Sequence, residues 1–231
     1  SDVCSSDLKI GLKFQYSNLL RVIRYIAAFL ALFLPGLYVA ITNYHQELIP
    51  TELLFAIAAS RETVPFPIIF EILIMEIAFE LIREAGLRVP SPIGPTIGIV
   101  GALILGEAAV SANIVSPILI IVVAITGICS FAIPDFSLSF TLRFFRFLYI
   151  ILGYLCGLLG IGLGIYIHSI ILSNLKSFGV PYLSHYLPIN EKASKASTFL
   201  PPIWKREARA NFLNVKKKRS QAKFSMKWKL F

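Results

Sequence analysis

At 231 residues, 56% hydrophobic and only 15% charged, with a mean hydropathy of +0.74, the chain is too apolar for an ordinary soluble domain. Its net charge of +9 gathers at the C-terminal end, where residues 191–231 carry 12 Lys and Arg against two acids. Cys4, Cys129 and Cys156, and His45, His168 and His185, share no metal-ligand spacing and no nucleophile–base pattern, so composition offers no catalytic residue, no metal and no cofactor.

The opening SDVCSSDL matches neither a targeting signal nor the apolar segments that follow, and reads as a scar at the start of a truncated reading frame. Residues 1–21 are therefore expected to be an N-terminal remnant, followed by a transmembrane domain over 22–175 and a basic tail over 176–231. The first span is expected at about 22–42, with Lys9, Lys13, Arg21 and Arg24 before it on the cytoplasmic side and a kink at Pro35-Gly36. Next comes TELLFAIAASRETVPFP, a linker along the interface whose Pro65 and Pro67 fix the entry to another helix.

That helix, IIFEILIMEIAFELIREAG over 68–86, combines an apolar run with Glu71, Glu76, Glu80 and Glu84. At 3.6 residues per turn Glu76, Glu80, Arg83 and Glu84 share one face, while Ile68, Met75, Phe79 and Ile82 lie broadly opposite. Gly86 is expected as the C-cap, with Pro90, Pro92 and Pro95 preventing continuation.

Between Arg88 and Asp135 the only charge is Glu107, and the stretch is too long for one crossing. SANIVSP at 111–117 divides it into a Gly-rich limb, with Gly98 and Gly101 available for helix packing, and a β-branched limb. The last apolar segment, about 145–173, holds Gly153, Gly157, Gly160 and Gly164, two GxxxG spacings that allow close helix contact. Five apolar segments from a cytoplasmic start would leave the basic tail outside. The expected fold is thus an all-α membrane bundle of about four full spans, with one further segment re-entrant or amphipathic. The limb at 94–107 is favoured for re-entry, which strands Arg143 and Arg146 on the outer side.

A carboxylate at the centre of a bilayer costs about 2.5–3.5 kcal/mol on insertion scales. Glu76 and Glu80 either lie in interfacial water, with Arg83 and Glu84 as charge partners, or line a cation path. Glu107 either lines such a path or is buried, paired with an arginine from another helix or kept neutral by a raised pKa. Asn113 serves equally as a path residue or as the residue that satisfies backbone groups at its turn. The Lys-rich tail with Phe224, Trp228 and Phe231 suits anionic headgroups, so a cytoplasmic tail near the membrane is expected and nucleic acid is not.

From about Tyr16 to Trp204 the wording resembles the A-subunit family of GerA-type spore germinant receptors. The resemblance rests on PGLYVAI at 35–41, SRETVPFP at 60–67, the FEILIMEIAFELIREAG block, IGIVGALILGEAAV, VSP at 115–117, PYLSHYLPIN and PPIW. It implies a membrane subunit of a nutrient receptor in the spore inner membrane, working with a transporter-like B subunit and a lipoprotein C subunit. It further implies a homo-oligomer around a pathway for monovalent cations, set among membrane lipids. The soluble N-terminal domain of that family is missing from this chain. Two other classes compete: a secondary transporter built on the Gly/Pro-interrupted limb, and a non-conducting scaffold that assembles the other subunits. No constellation for an enzyme is present.

Overall fold

A computed structural model describes residues 14–88, 93–177 and 180–181. Six helices follow in order: α1 (Phe14–Tyr44), α2 (Thr51–Arg61), α3 (Ile68–Arg88), α4 (Ile93–Ser111), α5 (Pro117–Phe131) and α6 (Phe136–Asn174). A 3-10 turn at Gln46–Leu48 precedes α2. The chain forms two compact units. Residues 24–164 make the helical bundle described below; the other unit takes in the two chain ends, where Lys176–Ser177 pairs antiparallel with Val180–Pro181. Two helices, Asn18–Tyr44 and Ser137–Asn174, are long and apolar enough to cross a membrane.

The helix ends follow from local chemistry. α3 opens on Pro67, whose carbonyl accepts from the N–H groups of Phe70 and Glu71. It runs on through Gly86 to Arg88, two residues further than expected. A glycine costs a helix only about 1 kcal/mol relative to alanine, so Gly86 is carried within it.

α4 stops at a Schellman motif. Asn113 takes φ 53°, the Ile114 N–H donates to the Ala109 carbonyl at 3.0 Å, and the Asn113 N–H donates to Val110 at 2.9 Å. Asparagine tolerates this left-handed conformation better than a branched residue does. Ser116 then caps α5 in extended geometry with Pro117 in its first turn. Asp135 caps α6, its carboxylate accepting from the N–H groups of Ser137 and Leu138.

α4 is an unbroken helix over its 19 residues, and the chain also folds back within α6. Gly157 has φ 61° and ψ −142°, a combination that a side chain rarely adopts. Beyond it the helix returns along itself. A Cβ on Gly164 would stand 2.9 Å from the Tyr149 ring, and one on Gly160 would strike the Leu152 carbonyl. A straight helix would hold Gly164 and Tyr149 about 22 Å apart. Residues 149–156 and 158–164 are therefore the two sides of a helical hairpin.

The glycines are used at this crossing. A Cβ on Gly153 would lie 2.6 Å from the Gly36 carbonyl, and one on Gly36 would lie 2.8 Å from the Tyr149 carbonyl, so α1 and α6 meet backbone to backbone. Gly101 makes an ordinary contact with Ile82, while the surroundings of Gly98 lie outside the described residues. The main core joins Val39, Ile68, Ile72, Met75, Val115, Leu119, Val123 and Ile150, drawn from α1, α3, the α4–α5 turn, α5 and α6. Leu32, Ala40, Tyr149 and Ile161 form a second cluster around the α1–α6 crossing.

Candidate functional site: an ion-pair ladder between α3 and α6

The acidic face of α3 packs against α6. Arg146 Nη2 lies 2.7 Å from Glu76 Oε2, and Arg143 pairs with Glu80 Oε1. Glu76 and Arg146 have side chains only 1% and 3% exposed, so this rung is withdrawn from solvent on every side. Four residues separate the acids and three separate the arginines in the reverse order, as two antiparallel helices with facing turns require. Arg143 Nε also donates to the Ser139 carbonyl one turn earlier on its own helix.

Arg83 continues the ladder along α3. Its guanidinium lies 3.8 Å from Glu80, donates to the Gly127 carbonyl of α5 at 3.4 Å, and sits 4.5 Å from the centre of the Phe131 ring. Glu84, expected as a fourth member, is exposed. Two rungs and a side branch thus tie α3 to α6 and α5 by charge, inside a bundle otherwise closed by aliphatic side chains.

Such pairs are demanding. Desolvating each ion costs several kcal/mol, and mutual attraction offsets this only where geometry and hydrogen bonding are good. Here Glu76 Oε1 and Arg146 Nε are buried without a hydrogen-bond partner. The rung is therefore held but not fully satisfied.

The remaining expected residues fall elsewhere. Glu107 is exposed on α4 and lines a cleft of about 1130 Å³ between α3, α4 and α5. Phe79, Ile82, Leu103, Ile128 and Phe131 line the same cleft, and Arg83 reaches it. Among the described residues no ion pair reaches Glu107, so the arginine-paired alternative for it finds no partner here. Asn113 is the turn residue described above, and its Oδ1 accepts from the Thr63 hydroxyl at 3.2 Å.

Sequence reasoning passed over Glu71. It is fully buried at the other end of α3; the Ser116 N–H donates to its Oε2 at 3.1 Å, and Arg61 Nη2 lies 3.4 Å from its Oε1. Arg143 and Arg146 were likewise noticed only as a topological difficulty. The missed signal was pairing: four carboxylates on one apolar helix require cations, and Arg61, Arg83, Arg143 and Arg146 are the arginines in the apolar stretches nearby.

Two helices long and apolar enough to cross a membrane, in a bundle joined by interhelical ion pairs, are the features of a membrane-associated helical domain. The family model described as Bacillus/Clostridium GerA spore germination protein matches residues 9–212, and the chain belongs to that family. It is 44% identical over 211 residues to spore germination protein KA of Bacillus subtilis, an alignment covering 91% of this chain and 39% of that protein. It is 48% identical over 192 residues to the uncharacterized membrane protein YfkQ of the same organism, covering 83% and 37%. To spore germination protein GerLA of Bacillus cereus it is 43% identical over 199 residues, covering 86% and 40%. The chain thus spans well under half the length of these relatives. No solved structure matches it.

Proposed function

We propose that this chain is the membrane domain of a spore germinant-receptor A subunit and that it forms or gates a pathway for monovalent cations. The observation that carries the reading is the ladder Glu76–Arg146 and Glu80–Arg143, whose first rung is buried. In the resting arrangement arginines occupy the carboxylates; when α3 and α6 shift, the same carboxylates face a water-filled path and attract cations. Glu107 and Asn113 lie nearer the α4–α5 turn and belong to the outer part of that path.

The topology accords with this. α1 and α3 are joined over one end of the bundle, and α4 with α5, like the two arms of α6, forms a hairpin that returns the chain to the side it left. Both basic ends then lie on the cytoplasmic side, and Arg143 and Arg146 no longer sit outside: they stand within the bundle, on the turns of α6 that follow the cytoplasmic Asp135 cap. In this reading the basic tail lies at the inner membrane of the spore, and the partners are a transporter-like B subunit, a lipoprotein C subunit and further copies of the A subunit. Surrounding lipid completes the assembly.

Cation flux through proteoliposomes carrying the assembled receptor tests the reading. Glu80→Gln is expected to alter cation selectivity, and Arg143→Gln to raise flux in the absence of nutrient. Unchanged selectivity and unchanged resting flux, in receptors that assemble normally, would remove the ladder from the pathway and favour a non-conducting scaffold.

A further inference from the structure

The cleft of about 1130 Å³ between α3, α4 and α5 takes no part in the ladder, yet one ladder residue reaches it. Its wall follows α5 from Pro117 to Phe131, a length of about 21 Å at the helical rise. Leu103, Ile121, Ile128 and Phe131 each stand more than half exposed along it. Among the residues that line it, the polar side chains are Arg83, Glu107 and Ser111. An exposed apolar face of this length is costly in water and at home beside hydrocarbon.

The two charges sit at different depths. A Cβ on Gly106 would lie 3.8 Å from Ile120, which puts Glu107 near that level of α5. Arg83 instead meets Gly127 and Phe131, about 10–16 Å further along. The Arg83 end is also where positive charge is in excess, because Arg83, Arg143 and Arg146 share only Glu76 and Glu80 within the ladder. Arg83 is the loosely held member. It stands 3.8 Å from Glu80 and 3.4 Å from the Gly127 carbonyl, whereas a closed charge-assisted bond spans about 2.7–2.9 Å. Its Nε is buried with no hydrogen-bond partner.

We propose that this cleft binds one phospholipid of net negative charge, with an acyl chain along α4 and α5 and the phosphate on the Arg83 guanidinium. Guanidinium presents a planar fork of donors that matches phosphate, and an anion there offsets the excess charge of the ladder. The chain fits by length: half of a hydrocarbon core about 30 Å thick is about 15 Å, so a tail starting at Arg83 ends near the level of Glu107. The leaflet also fits. Phe131 lies four residues before the Asp135 cap, which the topology proposed above puts on the cytoplasmic side, where membranes carry their anionic lipids. With phosphate on Arg83, Glu80 is left to Arg143 alone, so one side chain links the bound lipid to the ladder. The proposal rests on the membrane-domain reading and adds to it a lipid of stated charge.

The test uses the full chain in phosphatidylcholine vesicles containing phosphatidylglycerol with a photoreactive diazirine in its acyl chain, and maps the labelled residues by peptide mass spectrometry. Labelling is expected to favour Leu103, Ile121 and Ile128 several-fold over Phe29 of α1 and Leu159 of α6, which are equally open to lipid. Unlabelled phosphatidylglycerol is expected to compete several-fold better than added phosphatidylcholine. Ile128→Trp, which fills the cleft, is expected to lower labelling there several-fold. Arg83→Gln is expected to erase the headgroup preference, and Arg83→Lys to keep most of it; the tryptophan variant decides the matter if the arginine variants do not fold. Even labelling of Phe29, Leu159 and the cleft, or a headgroup preference that survives Arg83→Gln, would overturn the site. Preferential displacement by a long-chain alkylammonium that is lost in Glu107→Gln would give the cleft to a cationic amphiphile, and efficient disulfide formation between two copies carrying Ile128→Cys would give it to protein; either result also overturns the proposal. Failure of the membrane reading looks different, because the chain would then not enter the vesicles and Phe29 and Leu159 would go unlabelled too.

Discussion

α3 meets its neighbours in two different ways. Toward α4 and α5 it presents Met75, Phe79 and Ile82, which pack on Leu119, Val123, Gly127 and Gly101. Toward α6 it presents Glu76 and Glu80, which meet Arg146 and Arg143. The apolar side is tolerant, because volume-conserving exchange among aliphatic residues is accommodated at low cost. The charged side is not, because removing one ion leaves the other buried alone. One helix therefore carries both a passive contact and a poised one, and Arg83, touching Glu80, Gly127 and Phe131, joins them.

The sharpest way to break the comparison is to remove one ion of the inner rung. Glu76→Gln or Arg146→Gln is expected to lower stability by about 3–5 kcal/mol, read as thermal unfolding in detergent, while the double exchange Glu76→Leu with Arg146→Met recovers most of that loss. If the singles and the double unfold alike, the rung is not coupled. On the apolar side, Phe79→Leu is expected to stay within about 1.5 kcal/mol, since only part of a ring is lost from an aliphatic contact.

Gly157→Ala sharpens it differently, by straining the turn that brings α6 back. Alanine there takes a backbone conformation costing about 1–3 kcal/mol, and its methyl group meets the Tyr44 ring at 3.2 Å. Limited proteolysis or cysteine labelling near residue 157 should report the opened hairpin; unchanged protection would mean that the turn tolerates a side chain. The smallest effect is expected at Glu107→Gln, which removes an exposed charge and should move stability by less than about 0.5 kcal/mol. A larger loss would show that Glu107 has a structural partner.

Much of the helical pattern was legible in the sequence. The apolar runs, the turn at 111–117 and the shared face of Glu76, Glu80 and Arg83 follow from periodicity and from turn residues. The ladder was not legible, because its rungs join residues 63 and 70 positions apart in the chain, and periodicity on one helix names a face but not the helix that meets it. Glu71 was overlooked for a related reason: it lies next to the acidic face but pairs with α2 and the cap of α5. The hairpin in α6 was hidden by its own composition. A run of leucine, isoleucine and glycine reads as one packing helix, and only the positive φ at Gly157 converts that run into two. The Gly86 boundary failed because a glycine permits a helix to end without compelling it.

The Tyr44 hydroxyl donates to the Tyr154 carbonyl at 2.8 Å, one of the acceptors released where α6 bends. Together with the Gly36–Gly153 approach, this bond makes the end of the first helix the surface on which the last hairpin closes. The two partners lie 110 residues apart, so during synthesis α1 is complete long before the segment that covers it exists. Contacts so distant in sequence close late. A chain interrupted before residue 149 would leave the glycine face of α1 bare, and in a growing chain it is that face which needs a temporary occupant.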